Sequence, residues 1–372
     1  MANPPLRFSE WYEVNGYPLA TFGYAIESVS AGMPAKRGQN IVAPQLHGQI
    51  FQQKRLDSRT ETWTMWVCDA NPTTGVVPTT NAEKNQQFID NMRTVNQILG
   101  DNGDTLTVKK IWDTGLAGGI TNIERNGTTD IATLTLDGNY GIKVGDTISV
   151  TMNNATYSSF NCYGAVVTAV NNTPPVTISY SNDGATVSST AATGTVGVFK
   201  TLEAEAENIS AIQVSDWKTL KYSTFNVEML FPDPRWYDIH TSTSGAEFTN
   251  NASQAATFFA GSAPVTKMTI QFAPSSGPQT LHGPIKIANT TYPTMEIGYN
   301  IDIVYPATIT IDTEDLTVVD GSSVNKVENL YRNGTSRDWF AIYPNQSNII
   351  TFTTDANSTG SVFITYKKAY FI

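Results

Sequence analysis

Alternation of apolar and polar residues at every second position is the feature that most restricts how this sequence can fold. In "TETWTMWV", Trp63, Met65 and Val67 alternate with threonines and with Trp66. In "YSTFNVEMLF", residues 222–231, apolar residues again occupy every second position. A period of two places one set of side chains on one face of a β-strand. The sequence therefore predicts strands that bury one face in a core.

One segment has a helical period instead. Thr80 and Glu83 form the capping-box pattern T-x-x-E, and Gly100 is a typical residue after a helix end. Between them, apolar residues recur at spacings of four, three and four, namely Phe88, Met92, Val95 and Leu99. This pattern predicts a helix of about nineteen residues with one apolar stripe, which we expect to pack against a sheet.

The composition agrees with a mainly β fold. Charged residues are only 15% of the chain, while it contains 27 Gly and 18 Pro, which favour turns. The formal net charge of −10 argues against sequence-specific binding of nucleic acid, which needs a basic surface. The sequence predicts no signal peptide and no membrane-spanning segment. We therefore expect a protein made in the cytoplasm, in which Cys68 and Cys162 are free thiols.

The stretch "LFPDPRWYDI", residues 230–239, gathers acidic, basic and aromatic residues and could be read as an active site. Pro232 and Pro234 lack a backbone donor, and Pro234 keeps Asp233 out of helical conformations. We therefore interpret the stretch as the rigid end of a strand, with Asp233 as a turn residue. Upstream, we expect "KRLDSR", residues 54–59, to be a solvated loop.

Composition divides the chain into three domains. Residues 115–197 have few charges and consist of short strand-like segments separated by Gly, Asn and Pro turns, so we predict a small β-barrel or sandwich inserted into a loop. Residues 1–114 and 198–240 then form an N-terminal β-sandwich with the packed helix. Residues 241–372 begin with the polar stretch "TSTSGAEFTNNASQA" and continue as a second β-sandwich.

Motifs that carry chemistry are missing from the sequence. No phosphate-binding loop, dinucleotide-binding motif or nucleophile elbow occurs, and His47, His240 and His282 are far apart. We therefore predict no catalytic residues, no cofactor and no metal site, and we expect a structural or binding protein rather than an enzyme.

Several short sequence segments, in their order along the chain, resemble those of the distal tail protein (Dit) family of long-tailed, non-contractile bacteriophages. The segments near the N-terminus are "YPLATFGYAIESV", "HGQIFQQKRLDSRTETWTMWV" and "ILGDNG". Those near the C-terminus are "ITIDTEDLTVV" and "WFAIYPNQSNIITFTTDANSTGSVFITYKKAYF". Asn345 stands where the family usually has Gly in a turn, and Asn tolerates left-handed backbone geometry. Residues 115–197 lie outside the resemblance and are similar to a β-module found in other phage structural proteins.

The resemblance implies a virion protein at the distal end of the phage tail. It implies a homo-oligomeric ring, a hexamer in the family, built by the N-terminal domains, with a galectin-like C-terminal β-sandwich outside. Its partners would be the tail-tube protein, the tail-tip hub or tail-associated protein, and other tail-tip or receptor-binding proteins. The ring would join the tube to the hub and let DNA pass.

Two alternatives remain open at this stage. One is a carbohydrate-binding adhesion module of the tail tip, for which Trp339 and Tyr343 are candidate sugar-stacking residues. The other is a tail-tube subunit that stacks into many rings.

Overall fold

The computed structural model describes residues 9–32, 36–37, 55–100, 105–210, 222–291, 295–334 and 340–371. In these ranges the chain is mainly β, with one α-helix and two short 3₁₀ segments, Ala155–Phe160 and Val327–Asn329. It divides into two compact units: the first contains Met1–Lys36 and Leu56–Pro234, and the second contains Arg37–Arg55 and Arg235–Ile372.

The strands up to residue 231 are β1 (Glu10–Val14), β2 (Tyr17–Pro18), β3 (Tyr24–Ala31), β4 (Lys36–Arg37), β5 (Arg55–Leu56), β6 (Arg59–Cys68), β7 (Thr105–Asn126), β8 (Ile131–Leu136), β9 (Thr147–Met152), β10 (Cys162–Asn171), β11 (Thr177–Ser181), β12 (Val187–Asn208) and β13 (Tyr222–Phe231). The helix, α1 (Asn81–Leu99), follows β6. An antiparallel sheet, which we call the base sheet, has the order β3–β6–β13–β12–β7–β1–β2.

The predicted alternation is confirmed in the base sheet. Trp63, Met65 and Val67 of β6 are buried, and so are the alternate residues of β13, namely Phe225, Val227, Met229 and Phe231. The two strands pair residue for residue over ten positions, from Arg59 with Phe231 to Cys68 with Tyr222. Because the register holds without a shift, both apolar sets lie on one face of the sheet and form one core.

Helix α1 begins as the capping box predicts. Thr80 Oγ1 accepts a hydrogen bond from the Glu83 N–H at 3.3 Å, and Glu83 Oε2 accepts one from the Thr80 N–H at 3.3 Å. These two bonds satisfy backbone donors that have no partner inside the helix. The helix packs against β6, as expected from its single apolar stripe.

The buried stripe of α1 keeps three of the four predicted residues and adds Asn91 and Ile98. Phe88, Val95 and Leu99 are buried, whereas Met92 is half-buried and Asn91 takes the buried place beside it. The Asn91 side-chain amide donates to the Cys68 and Ala70 carbonyls at 2.7 and 2.8 Å. A polar side chain is tolerated there because both bonds satisfy it.

The upper parts of β7 and β12 belong to a small barrel. Its six antiparallel strands close in the order β7–β8–β11–β10–β9–β12–β7. Its own core contains Ile123, Leu134, Ile148, Ile178 and Tyr180, together with other buried side chains. A closed barrel leaves no free strand edge for pairing with another chain.

A bulge marks the passage from the base sheet into the barrel. Strand β12 pairs Phe199 with Asp113 but Val198 with Leu116, so Thr114 and Gly115 are extra residues on β7. Gly115 has φ +71°, a conformation that favours glycine. Thr114 Oγ1 donates to the Val198 carbonyl at 2.6 Å and holds the bulge. The start of the predicted insertion, residue 115, therefore lies at a bend within the continuous strand β7.

The second unit is a β-sandwich. Its strands are β14 (Trp236–Phe259), β15 (Met268–Pro274), β16 (Thr280–Leu281), β17 (Ile285–Asn289), β18 (Met295–Tyr299), β19 (Ile303–Val304), β20 (Ile309–Asp312), β21 (Thr317–Asp320), β22 (Leu330–Gly334) and β23 (Ser347–Tyr370). One sheet has the order β14–β23–β15–β20–β21 and the other β14–β23–β17–β18–β22, because β14 and β23 bend from one to the other. A single apolar core lies between them.

Two local expectations have clear outcomes in this unit. The polar stretch from Thr241, which precedes the sandwich strands in the sequence-based interpretation, lies inside β14, because Ala246 and Phe248 turn inward and the backbone pairs with β23. Asn345 has φ +61°, so the left-handed turn expected at this position is confirmed.

Candidate interaction surfaces

A buried ion pair holds the end of the first unit. Arg59 and Glu61 are 3% and 2% exposed, and Arg59 Nη2 lies 2.9 Å from Glu61 Oε1. Arg59 Nη1 donates to the Pro234 carbonyl at 3.0 Å, and Trp63 Nε1 donates to Glu61 Oε2 at 2.9 Å. The expectation of a solvated loop is wrong for Arg59, because the backbone carbonyl of the Pro-rich exit binds its guanidinium. Lys54 lies outside the described residues.

The charge of Arg59 is balanced locally. Its guanidinium carbon lies 4.9 Å from the centre of the Phe231 ring, a cation–π distance. Burial lowers the pKa of Arg59, while the negative charges of Glu61 and Asp233 act in the opposite direction. The negative charge of Asp233 therefore favours the charged form of Arg59 at the strand exit.

The remaining polar residues of "LFPDPRWYDI" and its flank also hold backbone. Arg235 Nη1 donates to Thr266 Oγ1 at 2.8 Å and to the Pro264 carbonyl at 3.0 Å. Asp238 Oδ1 accepts from the His240 N–H at 3.2 Å. These contacts fix the path of the chain on both sides of Pro234, and they support the interpretation of the stretch as a strand exit.

The base sheet has an acidic outer face, opposite its core face. The last part of strand β12 has glutamate at every second residue, so three glutamates follow one another on this face, and β1 and β13 add one each. The five are Glu13, Glu203, Glu205, Glu207 and Glu228. Lys109 of β7 lies in register between Glu13 and Glu203. Burial raises the pKa of Glu13, and the ammonium of Lys109 opposes that rise. The face presents mainly negative charge and repels other anions.

An aromatic cluster joins the base sheet to the barrel. The Trp11 ring centre lies 4.9 Å from that of Phe199 and 5.5 Å from that of Tyr163. The Tyr163 and Phe199 centres are 5.1 Å apart, with the rings nearly perpendicular. Tyr163 comes from barrel strand β10, so the barrel is packed onto the sheet as well as being continuous with it through β7 and β12.

Arg125 organises the far end of the barrel. Its guanidinium donates to the Ala185 carbonyl at 2.9 Å, to Asn182 Oδ1 at 2.6 Å and to the Ser159 carbonyl at 3.3 Å. It also lies 4.6 Å from the centre of the Phe160 ring. One buried cation thus ties together the two loops at 153–161 and 182–186, which sequence spacing could not reveal.

The sequence-derived sugar candidates lie on the second unit. Trp339 is outside the described residues. Tyr343 is half-buried and packs against the core, and its N–H donates to Asn348 Oδ1 at 2.9 Å. In the described ranges no three His, Cys, Asp or Glu side chains form a metal-binding group, and no helix is long and apolar enough to cross a membrane.

Comparisons with known proteins give only distant similarities. No protein-family model matches the chain, and no curated protein matches it. Among solved structures, one similar chain is the Dit protein of phage SPP1, which is described as a paradigm of the hub adsorption apparatus of phages that infect Gram-positive bacteria. It is 8% identical to this chain, with a TM-score of 0.49, and the match covers 97% of this chain and 99% of the SPP1 protein. A chain of the phage P2 baseplate in its activated, calcium-containing conformation is 8% identical, with a TM-score of 0.31 over 98% of this chain and 100% of its own. Similarity at this level does not establish a family.

Proposed function

We propose that the chain is a structural component of a phage tail tip, which forms a ring between the tail tube and the tip hub and gives passage to DNA. The acidic outer face of the base sheet is the observation that carries this proposal. A ring through which DNA moves needs a wall that does not bind phosphates, and a sheet face rich in carboxylates meets that requirement.

The architecture supports the same role. The order of the domains is that expected from the resemblance in the sequence: a strand-rich part with one helix, then a Pro-rich exit, then a β-sandwich. The Arg59–Glu61 pair fixes the exit, and the aromatic cluster fixes the barrel on the base sheet. Rigid sheets of this kind suit head-to-tail contacts that close into a ring. We assign the contacts with other tail proteins to the second unit.

Light scattering on the purified full chain tests ring formation. We expect a discrete particle of six times the 40.5 kDa chain mass, and rings in electron micrographs. A monomer at all concentrations up to ~100 μM, far above the range in which specific interfaces hold, would overturn the proposal.

Charge reversal tests which face lines the channel. The triple variant Glu203→Lys, Glu205→Lys and Glu207→Lys should keep the particle mass and gain binding to linear double-stranded DNA at low salt. It should not bind closed circular DNA, which cannot thread through a ring. A matched reversal at Glu314, Asp315 and Glu328 in the second unit is the control. Equal binding of linear and circular DNA by the base-sheet variant would place this face outside the channel.

A further inference from the structure

One outer face of the second unit carries small and polar side chains in rows across five strands. The first row is Ser253, Thr353, Lys286, Gly298 and Tyr331, and the second is Ala255, Thr351, Ala288, Glu296 and Asn333. Their neighbours along the strands, such as Ile287, Ile297 and Phe352, are fully buried, so both rows face away from the core. Four strand spacings make this surface, which we call the polar trough, ~19 Å wide.

A hydrogen-bonded cluster stands at one end of the polar trough. The Tyr331 hydroxyl donates to Glu296 Oε2 at 2.8 Å, and Asn333 Nδ2 donates to the same oxygen at 3.3 Å. Lys286 Nζ lies 5.1 Å from the centre of the Tyr331 ring. A side chain at Gly298 would collide with the Ile285 carbonyl, so glycine leaves the space in which Lys286 and Tyr331 meet.

The cluster leaves one acceptor and one cationic donor available. Both bonds to the Glu296 carboxylate end on Oε2, and among the described residues Oε1 has no partner. No carboxylate of the described chain lies within ion-pair distance of the Lys286 ammonium, whose contact is the Tyr331 ring. Tyr331 therefore contacts both groups: its hydroxyl donates to the Glu296 carboxylate, and its ring lies beside the Lys286 ammonium.

Two exposed apolar side chains lie on the same face, beyond the second row of the polar trough on β14 and β23. Phe259 and Ile349 are 53% and 49% exposed, and the pairing of Thr257 with Ile349 puts them diagonally next to each other on this face. Between this apolar pair and the cluster lie alanines and hydroxyl side chains. An extended ligand that crosses the strands diagonally would meet an apolar contact, then small hydroxyl groups, then a carboxylate and an ammonium.

We propose that the polar trough binds an oligosaccharide. Sugar hydroxyls both donate and accept hydrogen bonds, so one hydroxyl can donate to Glu296 Oε1 while its neighbour accepts from Lys286 Nζ. The apolar C–H face of a sugar ring can stack on the Phe259 ring. The carboxylate disfavours phosphate-rich ligands. This assignment goes beyond the structural role proposed above and does not depend on ring formation. It also places sugar recognition on residues other than Trp339 and Tyr343.

Binding of the full chain to immobilised neutral hexose and N-acetylhexosamine oligosaccharides tests the assignment. We expect at least one oligosaccharide to bind, and Glu296→Gln and Lys286→Met each to weaken binding by about tenfold or more, as loss of a charge-assisted hydrogen bond does. Glu314→Gln is the matched control, since Glu314 is an exposed glutamate paired with Lys267 at 2.6 Å, and it should bind as the unmodified chain does.

Three results would overturn the assignment. The first is absence of binding to every oligosaccharide at ~1 mM, the weak limit of specific recognition. The second is unchanged binding in both trough variants. The third is capture of another tail protein that is lost in the same variants while no sugar binds. Melting temperature and particle mass, measured in parallel, separate loss of binding from loss of folding, and a change in particle mass bears on the ring alone.

Discussion

Substitution of Glu61 by glutamine isolates the contribution of the buried ion pair to the first unit. Glutamine keeps the shape of the side chain and can still accept from Trp63 Nε1, but it leaves the buried Arg59 without its nearest counter-charge. Removing one partner of a buried pair costs about 3 to 5 kcal/mol. Because the Pro234 carbonyl and the Phe231 ring still contact Arg59, we expect the lower value, ~3 kcal/mol.

Thermal and urea unfolding measure this loss. For a unit of this size, ~3 kcal/mol corresponds to a fall of ~6–12 °C in melting temperature. Arg93→Gln is the control, because the Arg93–Asp90 pair on α1 has side chains 67% and 48% exposed, and we expect its loss to change stability by less than about 0.5 kcal/mol. A Glu61→Gln protein as stable as the control would refute the view that this pair fixes the strand exit.

Three further predictions follow from the same contacts. Asn91→Ala leaves two buried carbonyls without donors and should lower the free energy of unfolding in urea by about 2 kcal/mol; an unchanged midpoint would contradict this. Burial raises the pKa of Cys162 from 9.0 to about 12, so above pH 9 the unfolded chain loses a proton that the folded chain keeps. The free energy of unfolding should therefore fall as pH rises from 9 to 12, and it should fall less steeply in the Cys162→Ala variant. Equal slopes of unfolding free energy against pH in the two proteins, measured by urea titration, would contradict this prediction. Deleting residues 115–197 and joining the ends with a short Gly/Ser linker should leave a soluble particle of unchanged subunit number. We expect its free energy of unfolding to fall by ~1–3 kcal/mol, because two ring contacts of Tyr163 are lost. Insoluble protein would show that the barrel is needed for folding of the base sheet.

The sequence predicts the local elements of this fold well. Alternation identifies β6 and β13 because burial on one face of a strand is a local property, visible without knowing the partner strand. The capping box and apolar stripe identify α1 for the same reason. Asn91 shows the limit of the pattern, since its buried position depends on the Cys68 and Ala70 carbonyls of another segment.

The surfaces that carry the proposals are much harder to predict. The bond from Arg59 to Pro234 spans 175 positions, and neither residue indicates the other in the sequence. The polar trough exists because the registers of three strands bring Lys286, Glu296 and Tyr331 together. Register is set by side chains along whole strands, so a composition or a short motif cannot supply it.

Immunogold labelling of intact phage particles with antibodies against this chain tests the central claim most directly. A tail-tip ring protein predicts gold at the distal end of the tail, one cluster per particle, and no gold along the tube. Gold spread along the tube would show a tail-tube subunit instead. Particles that are complete and infectious but carry no label would contradict a structural role in the virion.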